Sequence, residues 1–318
     1  MYGKNYTFRG LNMQPAASLE EAVAMYNMDF SVLKLPLYFK DPNENEIVSP
    51  FHEQIIHGTT FNPIGVVGLR YQTVEYPIAF SPADALISGG AKIVGGGCPN
   101  RGERAYLILE GDGLIELSPG DTIINRFLML SSHDGTGKIE IRMTPWRSKT
   151  GTAITFDSTN PLAFKHTRNV GTKVSRAKRI FHRVNDNWNE FSTGVKKMVS
   201  INLTEAEAKE FIESVLPATK DEPSTRLENI RSEILTIYRD TGIGTRLPKC
   251  QGTLFGVVQA FVEWADIKRT IRKSSKRDEE SAALDAKLVS DSAKKKQKAW
   301  AMALYLSKKK KLSGSLSR

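Results

Sequence analysis

The apolar pattern of this 318-residue chain shifts from strand-length runs in its middle to helical spacing in its second half, and that shift constrains the fold more than any single motif. Between about Gly65 and Phe156 the apolar residues come in short, strand-length runs: Val66–Tyr71, Ala91–Val94, Arg104–Glu110 and Phe127–Ser131. Lys138–Thr144 alternates charged and apolar residues, as a half-exposed strand does, and His133-Asp134-Gly135-Thr136-Gly137 before it has tight-turn chemistry. From Thr172 onward the spacing is helical, as in Leu227, Ile230, Ile234, Leu235 and Tyr238. Strands gathered in one stretch and helices in the next predict an α+β fold. The expected architecture is an antiparallel β-rich core with flanking helices and a helical, basic C-terminal region.

Four segments follow from these patterns. Residues 1–60 read as an N-terminal arm, with a helix opened by the Ser18/Glu21 capping-box spacing and a strand over Phe30–Phe39. Residues 61–190 read as the α+β core, which includes a short helix with Ser81 as N-cap and Pro82 at its first position. Residues 191–273 read as helical. A second capping box joins Thr204 to Glu207, and a long helix is expected over Leu254–Ile271. Residues 274–318 read as a basic helical tail, with a helix over Ala282–Lys311 and a disordered end.

Charge is segregated. The chain carries a formal +10, yet from Lys268 to the end there are 16 Lys+Arg against 5 Asp+Glu, so residues 1–267 sum to −1. Between Asp157 and Asp186 there are seven basic residues and no acidic one. Such placement points to a polyanion, and nucleic acid is the commonest. Within this stretch a helix from Thr172 to about Val184 would turn Val174, Ala177, Phe181 and Val184 inward. Lys173, Arg176, Arg179 and Arg183 would then form a basic outer side, with Lys178 off that line. Lys165, His166 and Arg168 precede the helix in an extended segment, and Phe164, His166 and Trp188 offer rings on which unpaired bases could stack. Lys268, Arg269, Arg272 and Lys273 begin the second basic cluster, and Arg147 completes the candidate contacts.

Other chemistries find little support. Gly95-Gly96-Gly97 is not followed by Gly-Lys-Ser/Thr, so a hairpin explains the glycines better than a phosphate cradle. Five histidines and two cysteines show no metal-ligand spacing, and the acids form no two-metal cluster. No catalytic residue, metal or cofactor is expected. The start of the chain has no secretory h-region and no apolar run is long enough to span a bilayer, so a cytoplasmic setting without membrane contact is expected. The leading expectation is a self-associating protein that binds single-stranded DNA and anneals strands. The alternatives are a host-interaction protein and a DNA-processing enzyme.

The order of several short motifs carries a resemblance. They are Gly65-Val66-Val67-Gly68-Leu69-Arg70-Tyr71, Gly95-Gly96-Gly97 through Tyr106, Ser132 through Gly137, Thr144-Pro145-Trp146-Arg147, His166-Thr167-Arg168-Asn169, and Gly252 through Asp266, with Lys298-Ala299 late in the chain. In this order the chain resembles the phage/plasmid-like protein family known as domain of unknown function 932. The family often carries Cys-x-Asn-Thr-Leu after its Thr-Pro-x-Arg segment, and Lys149–Thr155 lacks it. The resemblance implies a phage, prophage or plasmid origin and no established activity.

Overall fold

The computed structural model describes residues 10–154, 162–176, 181–218, 224–269 and 278–313. It is a mixed α+β fold: an antiparallel sheet flanked by helices, with a helical C-terminal region.

The chain enters through α1 (Leu19–Met25). Ser18 Oγ accepts the Glu21 amide at 3.1 Å, while the Glu21 carboxylate reaches back to the Ala17 amide at 2.7 Å, so two amides at the helix start are satisfied. Ala22 and Val23 on this helix, and Tyr26 and Met28 after it, are buried in the largest apolar cluster of the protein. The segment expected as an arm thus contributes to the core. It continues into an antiparallel sheet of its own, ordered β1 (Val32–Lys40), β2 (Glu46–His57), β3 (Pro63–Gly68).

Two short helices, α2 (Tyr76–Phe80) and α3 (Ala83–Ser88), lead to the main sheet. Pro82, not Ser81, occupies the N-cap position of α3, and no side chain caps that helix. The main sheet runs β10 (Leu162–Phe164), β7 (Ile139–Met143), β6 (Asp121–Ser132), β5 (Arg104–Ser118), β4 (Lys92–Gly97). The two-residue strands β8 (Trp146–Arg147) and β9 (Thr152–Ala153) are added beside β6. The turn α4 (Pro99–Gly102) joins β4 to β5.

Strands β5 and β6 are longer than their apolar runs. A register shift between Glu110 and Leu114 carries β5 through Gly111-Asp112-Gly113, past the expected strand end at Glu110. Gly113 has φ 141°, and a Cβ there would lie 2.6 Å from the Trp188 ring. The glycine lets a helix residue lie over the bulge.

Helices follow in one series: α5 (Val170–Arg176), α6 (Phe181–Val199), α7 (Glu205–Val215), α8 (Ser224–Thr236), α9 (Leu254–Glu263), α10 (Glu279–Leu284) and α11 (Asp291–Ser313). The Thr204/Glu207 capping box forms in full at α7. Every residue of α9 is buried, as expected of a helix that is apolar all round. The long helix expected to Ile271 is instead α-helical to Glu263, then winds as a π turn over Trp264–Lys268. Similar π turns, Ile237–Thr241 and Asp285–Val289, end α8 and α10. α11 buries Ala299, Trp300 and Ala303, and Trp300 stacks on Phe191 of α6 with ring centroids 4.5 Å apart.

α11 is also held by charge. Lys296 Nζ donates to Asp266 Oδ1 at 2.7 Å and to the carbonyls of Lys287 at 2.8 Å and Ala153 at 3.0 Å, while Asp266 Oδ2 accepts the Ala153 amide at 3.0 Å. Burial pushes the ammonium down and the carboxyl up, and each opposes the other's shift. Removing one partner of such a pair leaves an uncompensated buried charge. Lys296→Met should therefore lower unfolding stability by about 3 kcal/mol or more. Urea unfolding measures it, and Asp266→Asn added to that variant should restore part of the loss.

Candidate nucleic-acid interface

The exposed cations converge most clearly between α8, the π turn after α9, and the start of α11. There the three elements wall an open groove of about 580 Å³. Arg226 comes from α8, Lys268 and Arg269 from the turn, and Lys295 from α11. Arg226, Lys268 and Arg269 are exposed, and Lys295 is half-buried.

Local chemistry fixes this groove. Trp264 Nε1 donates to Glu233 Oε2 at 2.9 Å, which ties the turn to α8 and occupies an acid of the lining. Arg269 donates to Ser292, whose hydroxyl donates to the Ala286 carbonyl at 2.8 Å. Asp291, the other acid of the lining, pairs with Lys295 one helical turn on, and that contact holds its carboxyl below the usual range. Both acids are thus engaged. Among the described residues, Arg226 and Lys268 have no acidic partner. The groove is lined by four cations against two acids, with Trp264 also in its lining.

The central basic segment forms a second exposed group. Lys165 and Arg168 lie between β10 and α5, and Lys173 lies on α5; all three are exposed. Val170 and Val174 of the same helix are buried against Val74, Ala79 and Ile139. Of the expected apolar and basic sides, Val174 is buried and Lys173 exposed, the other side chains lie outside the described set, and α5 starts at Val170 and not at Thr172. Arg176 and Arg183 belong to α5 and α6, with side chains outside the described set, and Lys178, Arg179, Arg272 and Lys273 lie outside the described residues.

Two candidate contacts face inward and cannot meet a ligand. The Arg147 guanidinium is wholly buried. Its Nε donates to Asp121 Oδ1 at 2.8 Å and Nη2 donates to Oδ2, while Nη1 donates to the Gly244 carbonyl at 3.1 Å and to Gln259 Oε1 at 3.2 Å. His166 is 5% exposed; Tyr71 stacks on it at 4.7 Å, and its Nδ1 lies 3.1 Å from the Gln72 carbonyl. Trp188 is likewise engaged, over Gly113 and against Phe191. A count of charges and rings along the chain does not separate these groups from exposed ones. Conversely, sequence reasoning missed Arg226, an isolated cation whose significance comes only from its partners across the groove.

The His133 turn is structural. Asp134 accepts the Thr136 amide at 2.8 Å and Arg104 Nε at 3.2 Å, and Arg104 also pairs with Asp285. His133 is fully buried beside Tyr76, ring centroids 4.1 Å apart, and among the described residues neither ring nitrogen has a hydrogen-bond partner. Burial, aided by His166, pushes its pKa down to about 3. Among the described residues no group of three or more His, Cys, Asp or Glu is placed to hold a metal ion, and no helix is long and apolar enough to cross a membrane.

The pKa of His133 is depressed in the folded state, so the unfolded chain takes up the proton first. Its contribution is present above the ordinary value of 6.5 and is lost as pH falls from there toward about 3. Stability should fall by about 1.4 kcal/mol per pH unit from this group across that window. Denaturation at stepped pH should show a shallower acid limb for His133→Phe; an unchanged limb would exclude His133 as the cause.

A family model described as Domain of unknown function (DUF932) matches residues 63–288. The match begins just before the Gly65 motif and ends before Lys298-Ala299. No curated protein and no solved structure matches the chain.

Proposed function

We propose that this chain, which belongs to the phage/plasmid-associated DUF932 family, a domain of unknown function, binds single-stranded nucleic acid, with DNA as the expected form. The observation that carries this reading is the groove in which Arg226, Lys268, Arg269 and Lys295 converge from three elements. The exposed Lys165, Arg168 and Lys173 supply a second contact of the same kind.

The physics favours a grip on the backbone. Lys and Arg in an open groove neutralise phosphates and release counterions, which gives binding without base identity. An open groove of about 580 Å³ has room for a short length of sugar-phosphate backbone. Two of the rings expected to stack on bases, His166 and Trp188, are engaged inside the protein, so the proposed grip is on the backbone alone, and a backbone grip leaves base edges free to pair. That is what strand annealing requires of its carrier, and annealing extends the same proposal. Self-association belongs with it, because one groove holds only a short length of strand and several copies would hold more.

Fluorescence anisotropy with a labelled oligothymidylate tests the reading. The affinity of the unaltered chain should fall steeply with salt. In Arg226→Glu/Lys268→Glu the slope of log affinity against log salt should shrink by about 1.4, or roughly 0.7 for each lost cation. An unchanged affinity and slope in that variant would remove the groove as the site. A loss confined to Lys165→Glu/Lys173→Glu would move the site to the central segment.

A further inference from the structure

The three-stranded sheet has a surface that nucleic-acid binding does not use. Of sixteen large apolar side chains exposed among the described residues, ten lie between Leu33 and Leu69. The register explains how they are displayed. Ile55 and Val67 point to the body and are buried there with Phe30 and Val32 packed on them. Leu35, Gln54 and Val66 lie side by side on the opposite face, where Leu35 and Val66 are 38% and 53% exposed.

Beyond a bulge between Pro36 and Tyr38 the sheet narrows to two strands, since β3 pairs only with His52–Ile56. The pairs Tyr38↔Val48 and Phe39↔Ile47 are successive, so they occupy opposite faces of this hairpin, and all four side chains are exposed. A two-stranded hairpin with apolar side chains on both faces is marginal in water by itself.

We propose that this sheet packs against a second copy of the chain. Area supports it. Tyr38, Phe39 and Phe51, at 54%, 49% and 71% exposed, leave on the order of 350 Å² uncovered. Their aliphatic neighbours raise this to roughly 600 Å², and the intervening polar groups bring it near the ~800 Å² per partner of a stable interface.

Charge supports it as well. Residues 32–68 contain two lysines and four acids, a net −2 in a chain of net +10. Both lysines are paired within the sheet, Lys34 with Glu53 and Lys40 with Glu44. A polyanion or an anionic lipid surface gains nothing here, whereas two copies meet without strong repulsion and each covers the other's apolar face. Contact is through side chains and not by strand addition: the β1 edge carries Pro36, a bulge and two lysines, which discourage pairing, and because the hairpin is apolar on both faces the second copy covers both.

Sedimentation of the full chain at micromolar concentration, without nucleic acid and in high salt, tests the proposal. The expected mass is a multiple of 35.4 kDa. Tyr38→Ser/Phe39→Ser/Phe51→Ser should sediment at 35.4 kDa with its circular dichroism unchanged. Leu114→Ser/Ile243→Ser/Tyr305→Ser, exposed apolar sites elsewhere, should keep the higher mass. Under mild oxidant, Val66→Cys should give a disulfide-linked dimer. A 35.4 kDa unaltered chain, or a triple hairpin variant that keeps the higher mass, overturns the proposal. So does a single copy that floats with phosphatidylcholine vesicles, which would assign the sheet to lipid. The mass is read without nucleic acid, so failure here leaves the groove untouched, and failure of the groove leaves the sheet untouched.

Discussion

The buried guanidinium of Arg147 joins parts of the molecule that lie far apart in sequence. It sits on the two-residue strand β8, spends two donors on Asp121 at the start of β6, and reaches Gln259 in the wholly buried α9 and the Gly244 carbonyl in the loop before it. Glu263, at the end of α9, binds that loop from the other side through the amides of Ile243, Gly244 and Thr245. A buried charge of this kind is tolerated only when its donors are met, and here sheet, loop and central helix each supply an acceptor. The Lys296–Asp266 pair repeats the device where α11 meets β9 and the turn after α9. The groove at that turn therefore stands on two buried ion pairs, and the position of its cations depends on both.

Much of the architecture was legible because it rests on local chemistry. The switch from strand-length runs to helical spacing separates the sheets from the helical series, and the capping boxes at Ser18 and Thr204 mark real helix starts. What was not legible depends on contacts distant in sequence. Strand β5 runs past its expected end at Glu110, where Gly113 lets the distant Trp188 lie over the bulge. Leu254–Ile271 looks like one helix because apolar spacing does not distinguish an α from a π turn. The first 60 residues look peripheral because Tyr26 and Met28 find their partners in elements far along the chain.

The candidate site was legible as charge and illegible as geometry. Net charge located Lys165, Arg168, Lys173, Lys268 and Arg269, all exposed. The candidates also included Arg147, outside both basic segments, and the tail count included Lys296; both are buried and paired. Nothing in a run of lysines marks the one that will be buried: Lys295 lines the groove while Lys296, next to it, points into the core because successive helix residues face different ways. The groove itself joins positions 226, 268–269 and 295, and no pattern along one segment could have announced it.

The two surfaces proposed here answer to different physics, and that difference gives their combination its use. Phosphate contacts through a few lysines and arginines weaken steeply as salt rises, so one groove alone would hold a strand loosely at physiological ionic strength. An apolar face is indifferent to that change. Copies joined through the sheet would present several grooves to one strand, and each engagement after the first would be intramolecular, with an effective concentration set by the spacing of the copies. Weak and unspecific contacts would then sum to a firm grip that still leaves every base edge free. The near-neutral sheet suits this arrangement: both of its lysines are paired with acids, so little there would draw the strand into the interface between copies.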